Sequence, residues 1–289
     1  MLSILIPVYN SDIRLLVQAL HRQGTRLGIT FEIRCYDDGS QTAIRNLNQQ
    51  LIGITHLIYR ELPKNLGRSK IRNLLAKEAR FPYLLFLDDD AQIIRDDFIK
   101  SYLDHLSPDK VLVGGRVYPE KPPPASQRLH WRYGKIREQR PTSAFQSNNF
   151  FLSKALFLSI QFNEEIQGYG HEDTFFGWRL AEAGISVLNI PNPVKNIGLD
   201  EVTDYLKKQS EAIENLTLLQ SKYPDINTRL IRSIKIIKGL YLRLPFLWIF
   251  GECKSMIKEK LKSQPSLLLF DIYKIGLFLE KEAKLQKKA

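Results

Sequence analysis

A chain of 289 residues, 44% hydrophobic and 25% charged, carries ample apolar material for a core, which excludes disorder as a description of the whole. Its net charge of +11 is unevenly placed: residues 221–289 hold 15 Lys+Arg against 6 Asp+Glu, while residues 1–220 hold 27 against 25. Two cysteines, Cys35 and Cys253, exclude a disulfide framework and point to a reducing compartment. The opening residues lack the flank and cleavage site of a secretory leader, and no stretch approaches the ~20 apolar residues that span a bilayer.

Leu2–Val8 is a short apolar run and predicts a buried strand. Ile13, Leu16, Leu20 and Leu27 predict a helix over 13–27, and Phe31–Tyr36 a second strand stopped by Asp37-Asp38-Gly39-Ser40. A helix over 43–51, a strand over 55–59 and a helix over 67–79 follow. The wholly apolar strand Tyr83–Leu87 then ends in Asp88-Asp89-Asp90. Such alternation implies parallel βαβ units, which bind ligands beyond the carboxyl ends of their strands. Both acidic clusters are therefore expected on one rim of an α/β fold. Further along come a strand over 111–118, a loose basic segment from Pro122 to about Pro141 and a strand over 145–152. A helix opened by Gly168-Tyr169-Gly170-His171-Glu172-Asp173 and stopped at Gly184 precedes a last strand over 185–190.

Three consecutive aspartates repel one another, and a divalent cation shared with phosphate oxygens relieves the repulsion. Helix capping explains one Asp more readily than three. Alone, Asp37-Asp38-Gly39-Ser40 is an ordinary turn, and Glu172-Asp173 an ordinary acidic helix start. The glycines at 168 and 170 let backbone approach a ligand closely, and a carboxylate beside them can act as general base toward a hydroxyl.

Together these stretches resemble the family 2 glycosyltransferases of the GT-A fold. The likeness rests on Ser3-Ile4-Leu5-Ile6-Pro7-Val8-Tyr9-Asn10, Asp37-Asp38-Gly39-Ser40, Asn65-Leu66-Gly67-Arg68 with Arg72-Asn73, Leu87-Asp88-Asp89-Asp90, and Gly170-His171-Glu172-Asp173 with Arg179-Leu180. It covers roughly residues 1–200, and its last block is also similar to the acceptor-side motif of galactosyltransferase-type relatives. The resemblance implies a Rossmann-like, mainly parallel mixed sheet flanked by helices. It also implies an inverting, metal-dependent transfer from a nucleotide-sugar, a UDP-sugar, to a glycan or lipid-linked acceptor in surface polysaccharide synthesis.

By the same resemblance Pro7, Tyr9, Asn10, Asp37, Asp38, Asn65, Gly67, Arg72, Asp88 and Asp89 line the nucleotide. Asp90, with Asp88, matches the Asp-X-Asp signature that holds Mn2+ or Mg2+. Asp173, with Glu172 as the alternative, matches the catalytic base, and Gly170, His171 and Trp178 lie on the acceptor side, although core packing also explains Trp178. Relatives often carry a metal-binding His after the last sheet strand. Asn196 stands at about that place, leaving His171 or water to complete the ion's shell. The other histidines, His21, His56, His105 and His130, show no ligand spacing. Trp131 and Tyr133, with Arg128, Arg132, Lys135, Arg137 and Arg140, read equally as a solvated helix or as an acceptor loop closing on the diphosphate.

Residues 1–220 are expected to form the transferase domain and 221–289 a basic, amphipathic helical extension. From Arg229 to Leu244 an apolar face carries Leu230, Ile231, Ile234, Ile237, Leu240, Tyr241 and Leu244, with basic residues beside it, and residues 266–285 repeat the theme. Such helices suit an anionic membrane surface, giving a cytoplasmic protein held on the inner face of the cytoplasmic membrane. Packing on the catalytic domain or pairing as a homodimer would use the same faces. Two other functions fit parts of the chain. A sugar-phosphate nucleotidyltransferase would need a Gly-rich phosphate loop where Pro7-Val8-Tyr9-Asn10 stands; nucleic-acid binding by the tail lacks a recognised module, so no nucleic acid is expected as a partner.

Overall fold

The computed structural model describes residues 1–140 and 145–287; Pro141, the expected end of the loose basic segment, lies outside them. In chain order the elements are β1 (Leu2–Val8), α1 (Arg14–Arg26), β2 (Phe31–Asp37), α2 (Thr42–Asn48), β3 (Leu57–Glu61), α3 (Arg68–Glu78), β4 (Tyr83–Leu87), β5 (Ala91–Gln92), α4 (Phe98–Asp104), β6 (Lys110–Val113) and β7 (Arg116–Val117). They continue with α5 (Arg128–Tyr133), β8 (Asn149–Ser153), α6 (Lys154–Ile160), α7 (Glu172–Glu182), β9 (Ser186–Asn189), β10 (Val194–Asn196), α8 (Val202–Lys222), α9 (Arg229–Gly239), α10 (Arg243–Ser263) and α11 (Leu267–Gln286). The chain divides into two compact units. One comprises Met1–Pro119, Glu138–Gln167 and Glu172–Gly198; the other comprises Glu120–Arg137, Gly168–His171 and Leu199–Ala289.

In the first unit seven strands form one sheet in the order β3-β2-β1-β4-β8-β6-β9. β3, β2, β1 and β4 run parallel, as do β6 and β9, whereas β8 is antiparallel to both its neighbours. This is the mixed, mainly parallel α/β sheet that was expected. β8 departs from the βαβ pattern: among the described residues of this unit no α-helix lies between β7 and β8 to carry a parallel crossover. The strand expected over 111–118 is broken at Gly114-Gly115. A Cβ on Gly114 would run into the Asn149 amide, the Asn192 carbonyl and the Tyr102 hydroxyl, and Gly115 has φ +77°. β6 therefore stays in the large sheet, while β7 turns into a small one ordered β5-β10-β7. The strand expected over 185–190 is not the last, since β10 follows it. Of the strand expected over 145–152 only the part from Asn149 forms; Phe145 instead sets its ring 4.9 Å from those of Phe150 and Phe176.

Leu2, Ile4, Leu5, Ile6 and Val8 of β1 are all fully buried, as a central parallel strand with both faces covered requires. On one side of the sheet Phe86 stacks on Phe150 (4.7 Å) and Phe157 (5.0 Å). The second unit is helical. His130 of α5 is buried and stacks on Tyr205 of α8 at 4.4 Å. Lys274 of α11 lies over the rings of Tyr133 (4.5 Å) and Phe270 (4.7 Å). Phe270, Leu277, Phe278 and Leu279 of α11 are buried; of the apolar face expected over 266–285, Leu279 is core, Leu269, Ile272 and Ile275 are half-buried and Leu268 is exposed. Among the described residues no helix is long and apolar enough to cross a membrane. Truncating Phe86 to Ala is expected to cost about 3–5 kcal/mol, read as a lower urea midpoint with an unchanged slope.

Candidate functional site

All the contacts that follow lie in the first unit unless stated. β1 separates its two neighbours at the carboxyl end. It is in register with β2 as far as Val8 opposite Asp37, but with β4 only as far as Leu5 opposite Phe86. Pro7 falls beyond the β4 pairing, where its missing N–H costs no ladder bond on that side. Parting strands at the point where sheet order reverses open the crevice in which such sheets bind ligands.

The residues past β1 tie both acidic turns to this crevice. The Tyr9 N–H donates to Asp89 Oδ2 (2.7 Å), and the Asn10 N–H donates to Ser40 Oγ (2.7 Å). Asn10 Oδ1 accepts from the Gln41 N–H (2.8 Å), and Asn10 itself has φ +56°, a conformation that Asn tolerates better than most residues. The two acidic clusters do meet on one rim, and the Tyr9 ring stays exposed there.

Asp37 and Asp38 are buried and spend their oxygens mostly on backbone N–H groups. Asp37 Oδ1 accepts from the N–H groups of Gly39 (3.1 Å) and Ser40 (2.7 Å), and its Oδ2 accepts from the Tyr59 hydroxyl (3.1 Å). Asp38 accepts from the Leu66 N–H (2.6 Å) and the Gly67 N–H (2.9 Å), while the Asn65 amide donates to its carbonyl (2.9 Å). Gly67 takes φ +84°, which lets the chain turn directly into α3.

α3 then delivers two arginines from its first turns. Arg72, with a side chain only 2% exposed, donates to Asp88 Oδ1 (2.7 Å) and lies 3.5 Å from Glu172 Oε1. Arg68 donates to Glu172 Oε1 (2.6 Å) and is 3.9 Å from Asp88 Oδ2. Burial works to raise the Glu172 carboxyl, but the two guanidinium groups outweigh it and hold it below the usual carboxylate range. Its neighbour Asp173 is pushed the other way, up to about 6, by burial and by the Glu172 charge, against the Thr174 N–H that donates to it (2.7 Å).

The three aspartates do not act as one cluster. Among the described residues no group of three or more His, Cys, Asp or Glu is placed to hold a metal ion. Asp88 faces the arginines, Asp89 holds Tyr9, and Asp90 Oδ2 accepts from the Asn196 amide of β10 (2.9 Å). Burial and the neighbouring aspartates raise Asp89 to about 7 and Asp90 to about 6. A carboxyl that resists ionisation beside others is one a cation would relieve. The oxygen donors at hand fit a hard divalent ion: the carboxylates of Asp90 and Asp88, and Asn196 Oδ1, which is buried and has no partner. Gly198 must be glycine here, because a Cβ would come within 2.5 Å of Asp90 Oδ2.

Two basic residues complete the rim that sequence patterns did not single out as ligand-facing. One is Arg68. The other is Arg116 of β7, which is 3.4 Å from Glu138 and whose positive charge acts on Asp88 and Asp90. The glycine break before it was the one available signal. Trp178 of α7 is half-buried, with its ring 5.5 Å from that of Phe175. Gly170 and His171 belong to the second unit. There the Asn215 amide donates to the carbonyls of Tyr169 (3.2 Å) and Gly170 (3.1 Å). The close approach that Gly170 permits is to α8, where a Cβ would come within 2.5 Å of the Ala212 methyl. His171 has φ +67°. The aromatic-basic segment around Trp131 is also in the second unit and is a helix, α5, rather than an open loop.

Comparison with known proteins gives a consistent answer. A stretch of 120 residues, 40% of this chain, is 28% identical to "Uncharacterized glycosyltransferase YfnE" of Bacillus subtilis (strain 168), and it spans only 31% of that relative's length. Among solved structures, the mannosyltransferase PcManGT from Pyrobaculum calidifontis, in complex with GDP-Man and Mn2+, superposes with a TM-score of 0.60 at 14% identity, covering 100% of this chain and 88% of that one. Residues 1–349 of S. aureus TarS in complex with UDP-GlcNAc superpose with a TM-score of 0.55 at 16% identity, covering 99% and 92%. At such identities these likenesses speak for the GT-A fold alone. The profile of the family described as "Glycosyl transferase family 2" matches residues 3–166, more than half of the chain, and the chain accordingly belongs to that family of glycosyltransferases.

Proposed function

We propose that this glycosyltransferase moves a sugar from a nucleotide-sugar donor, a UDP-sugar, to a hydroxyl of a glycan or lipid-linked acceptor with inversion at the anomeric carbon. The observation that carries the reading is the split between two adjacent carboxylates. Glu172 is locked as an anion between Arg68 and Arg72, whereas Asp173, raised to about 6, can take up a proton near neutral pH. The acceptor oxygen attacks the anomeric carbon, Asp173 takes the hydroxyl proton, and the bond to the diphosphate breaks in the same displacement. A single base and a single displacement leave the configuration inverted.

The crevice at the end of β1 would hold the nucleotide, with Pro7, Tyr9, Asn10 and Asn65 at its edge. Asp37, Asp38 and Gly67 shape the turns that frame it, and Arg72 acts through Asp88 because its guanidinium is buried. Arg68 and Arg116 supply positive charge toward the diphosphate. Bound Mn2+ or Mg2+, held by Asp90 and Asp88 with Asn196 in place of the more usual His, would neutralise charge on the leaving diphosphate. The neighbouring structures support a nucleotide-sugar donor, since one contains GDP-Man with Mn2+ and another UDP-GlcNAc. Gly170, His171 and Trp178 are assigned to the acceptor side.

Several measurements test this. A screen of nucleotide sugars with Mn2+ should show slow UDP release from one donor, abolished by chelation, and proton NMR of the product should show the inverted anomer; retention would sink the mechanism. Titration calorimetry should show Mn2+ binding in the presence of UDP that Asp90→Ala removes. Asp173→Asn should lower turnover by about 10²–10⁴-fold. Because the base works deprotonated, log kcat/KM of the native enzyme should climb with pH and level off above about 6. Glu172→Gln removes the anion that raises Asp173, so the acid limb should move to lower pH while activity persists. Complete loss in that variant with the fold intact would make Glu172 the base instead.

A further inference from the structure

We propose that the corner between α9 and α10 is a docking surface for an anionic phospholipid bilayer, on which the protein rests without crossing it. The first observation is exposure. Tyr241 is 91% exposed, Leu244 76% and Trp248 72%, with Ile236, Leu240 and Ile249 exposed beside them in the sequence. Elsewhere along the chain exposed large apolar residues mostly stand singly, as on any soluble protein. The inward side of the same helices is already satisfied: Ile231 and Ile234 of α9, and Phe250, Ile257 and Leu261 of α10, are buried. The outer ridge is thus a second apolar face that the unit does not cover.

The second observation is backbone. α9 ends in the two-bond stop in which the Tyr241 N–H donates to the Lys238 carbonyl and the Leu242 N–H to the Ile237 carbonyl, both at 3.0 Å. The residue at the left-handed position of that stop is ordinarily glycine. Here it is Tyr241, with φ +59°, although Gly239 lies only two positions earlier. A bulky aromatic therefore adopts an unfavourable conformation and points into solvent, where it stabilises nothing within the unit.

The third is charge. Residues 226–251 contain Arg229, Arg232, Lys235, Lys238 and Arg243 and not one acidic residue; Asp271 of α11 pairs with Arg229 (3.8 Å) and Glu282 with Lys238 (2.6 Å) and Arg243 (3.9 Å), so five cations stand against two acids. Apolar side chains with an amphipathic Tyr and Trp, on a segment that keeps an excess of positive charge, match a headgroup layer: the rings and Leu side chains enter the boundary while the excess cations meet phosphates. A second copy of the chain is a poorer occupant, because an isologous contact would bring the same cations of both copies together. No described helix can span a bilayer, which agrees with a surface that lies on one.

Flotation of the full chain with vesicles tests the proposal, and it does not depend on which donor the enzyme uses. The protein should float with phosphatidylcholine vesicles containing phosphatidylglycerol, float far less with phosphatidylcholine alone, and be released by high salt. Binding should shift tryptophan emission to the blue, a shift that Trp248→Phe removes. The double variant Leu244→Glu, Trp248→Glu should weaken partitioning at least about tenfold. Tyr241→Gly separates docking from folding: it should weaken partitioning while leaving the melting temperature equal or higher. Failure of the native chain to bind anionic vesicles would overturn the proposal. So would sedimentation showing a vesicle-free dimer that the double variant dissociates, since the ridge would then be a self-association surface.

Discussion

The site depends on one buried cation. A guanidinium cannot shed its proton, so Arg72 can sit inside the first unit only if anions are brought to it. Asp88 at the end of β4 and Glu172 at the start of α7 supply them, with Arg68 balancing the second acid. Removing one partner of such an arrangement costs about 3–5 kcal/mol, because the charge left behind is stranded. Three elements separated by up to about a hundred residues are thereby fixed at the level of individual oxygens. The same demand sets the two adjacent carboxylates apart. Once Glu172 is committed to two arginines it holds its charge too firmly to take up a proton. Its field falls on Asp173, which becomes the more basic of the pair.

That division of labour repeats along Asp88-Asp89-Asp90. Successive residues past a strand point in different directions, so three adjacent carboxylates meet three different surroundings: arginines, a backbone N–H and an amide. Asp89 anchors the chain beyond β1, Asp88 is held by α3, and Asp90 is left facing Asn196. Repulsion, which seemed to demand one shared cation for all three, is partly relieved within the protein. Asp90, which faces only an amide, is the carboxylate that a cation would answer.

Much of this was legible from sequence. β1 and β4 were read to the residue because each is an unbroken apolar run ended by polar chain, and parallel strands covered on both faces have that signature. The rim followed from where those strands end. Four kinds of feature were not legible. α4 and α6, at seven residues each, are too short for a helical period to declare itself. The break between β6 and β7 depends on what surrounds Gly114, not on the glycine alone. The burial of Arg72 cannot be read from an exposed-looking helical position, because it is set by partners far along the chain. Finally, Arg116 gains its meaning only from the fold that sets its charge beside Asp88 and Asp90.

Periodicity finds apolar faces but does not say what covers them, and the second unit shows both outcomes in one basic segment. Much of α11 is core: Phe270, Leu277 and Leu279 are buried, and even Lys274 lies flat on two rings. The face that begins on α9 splits instead. Ile231 and Ile234 turn inward, while Leu240, Tyr241 and Leu244 stay in water. Burying such side chains is worth roughly 1.5–3 kcal/mol each, so leaving several uncovered at one corner forgoes a gain comparable to much of a domain's stability. A Tyr where the backbone favours Gly adds to that loss. Neither choice improves the folded unit, which is the ground for proposing that this corner docks on an anionic surface.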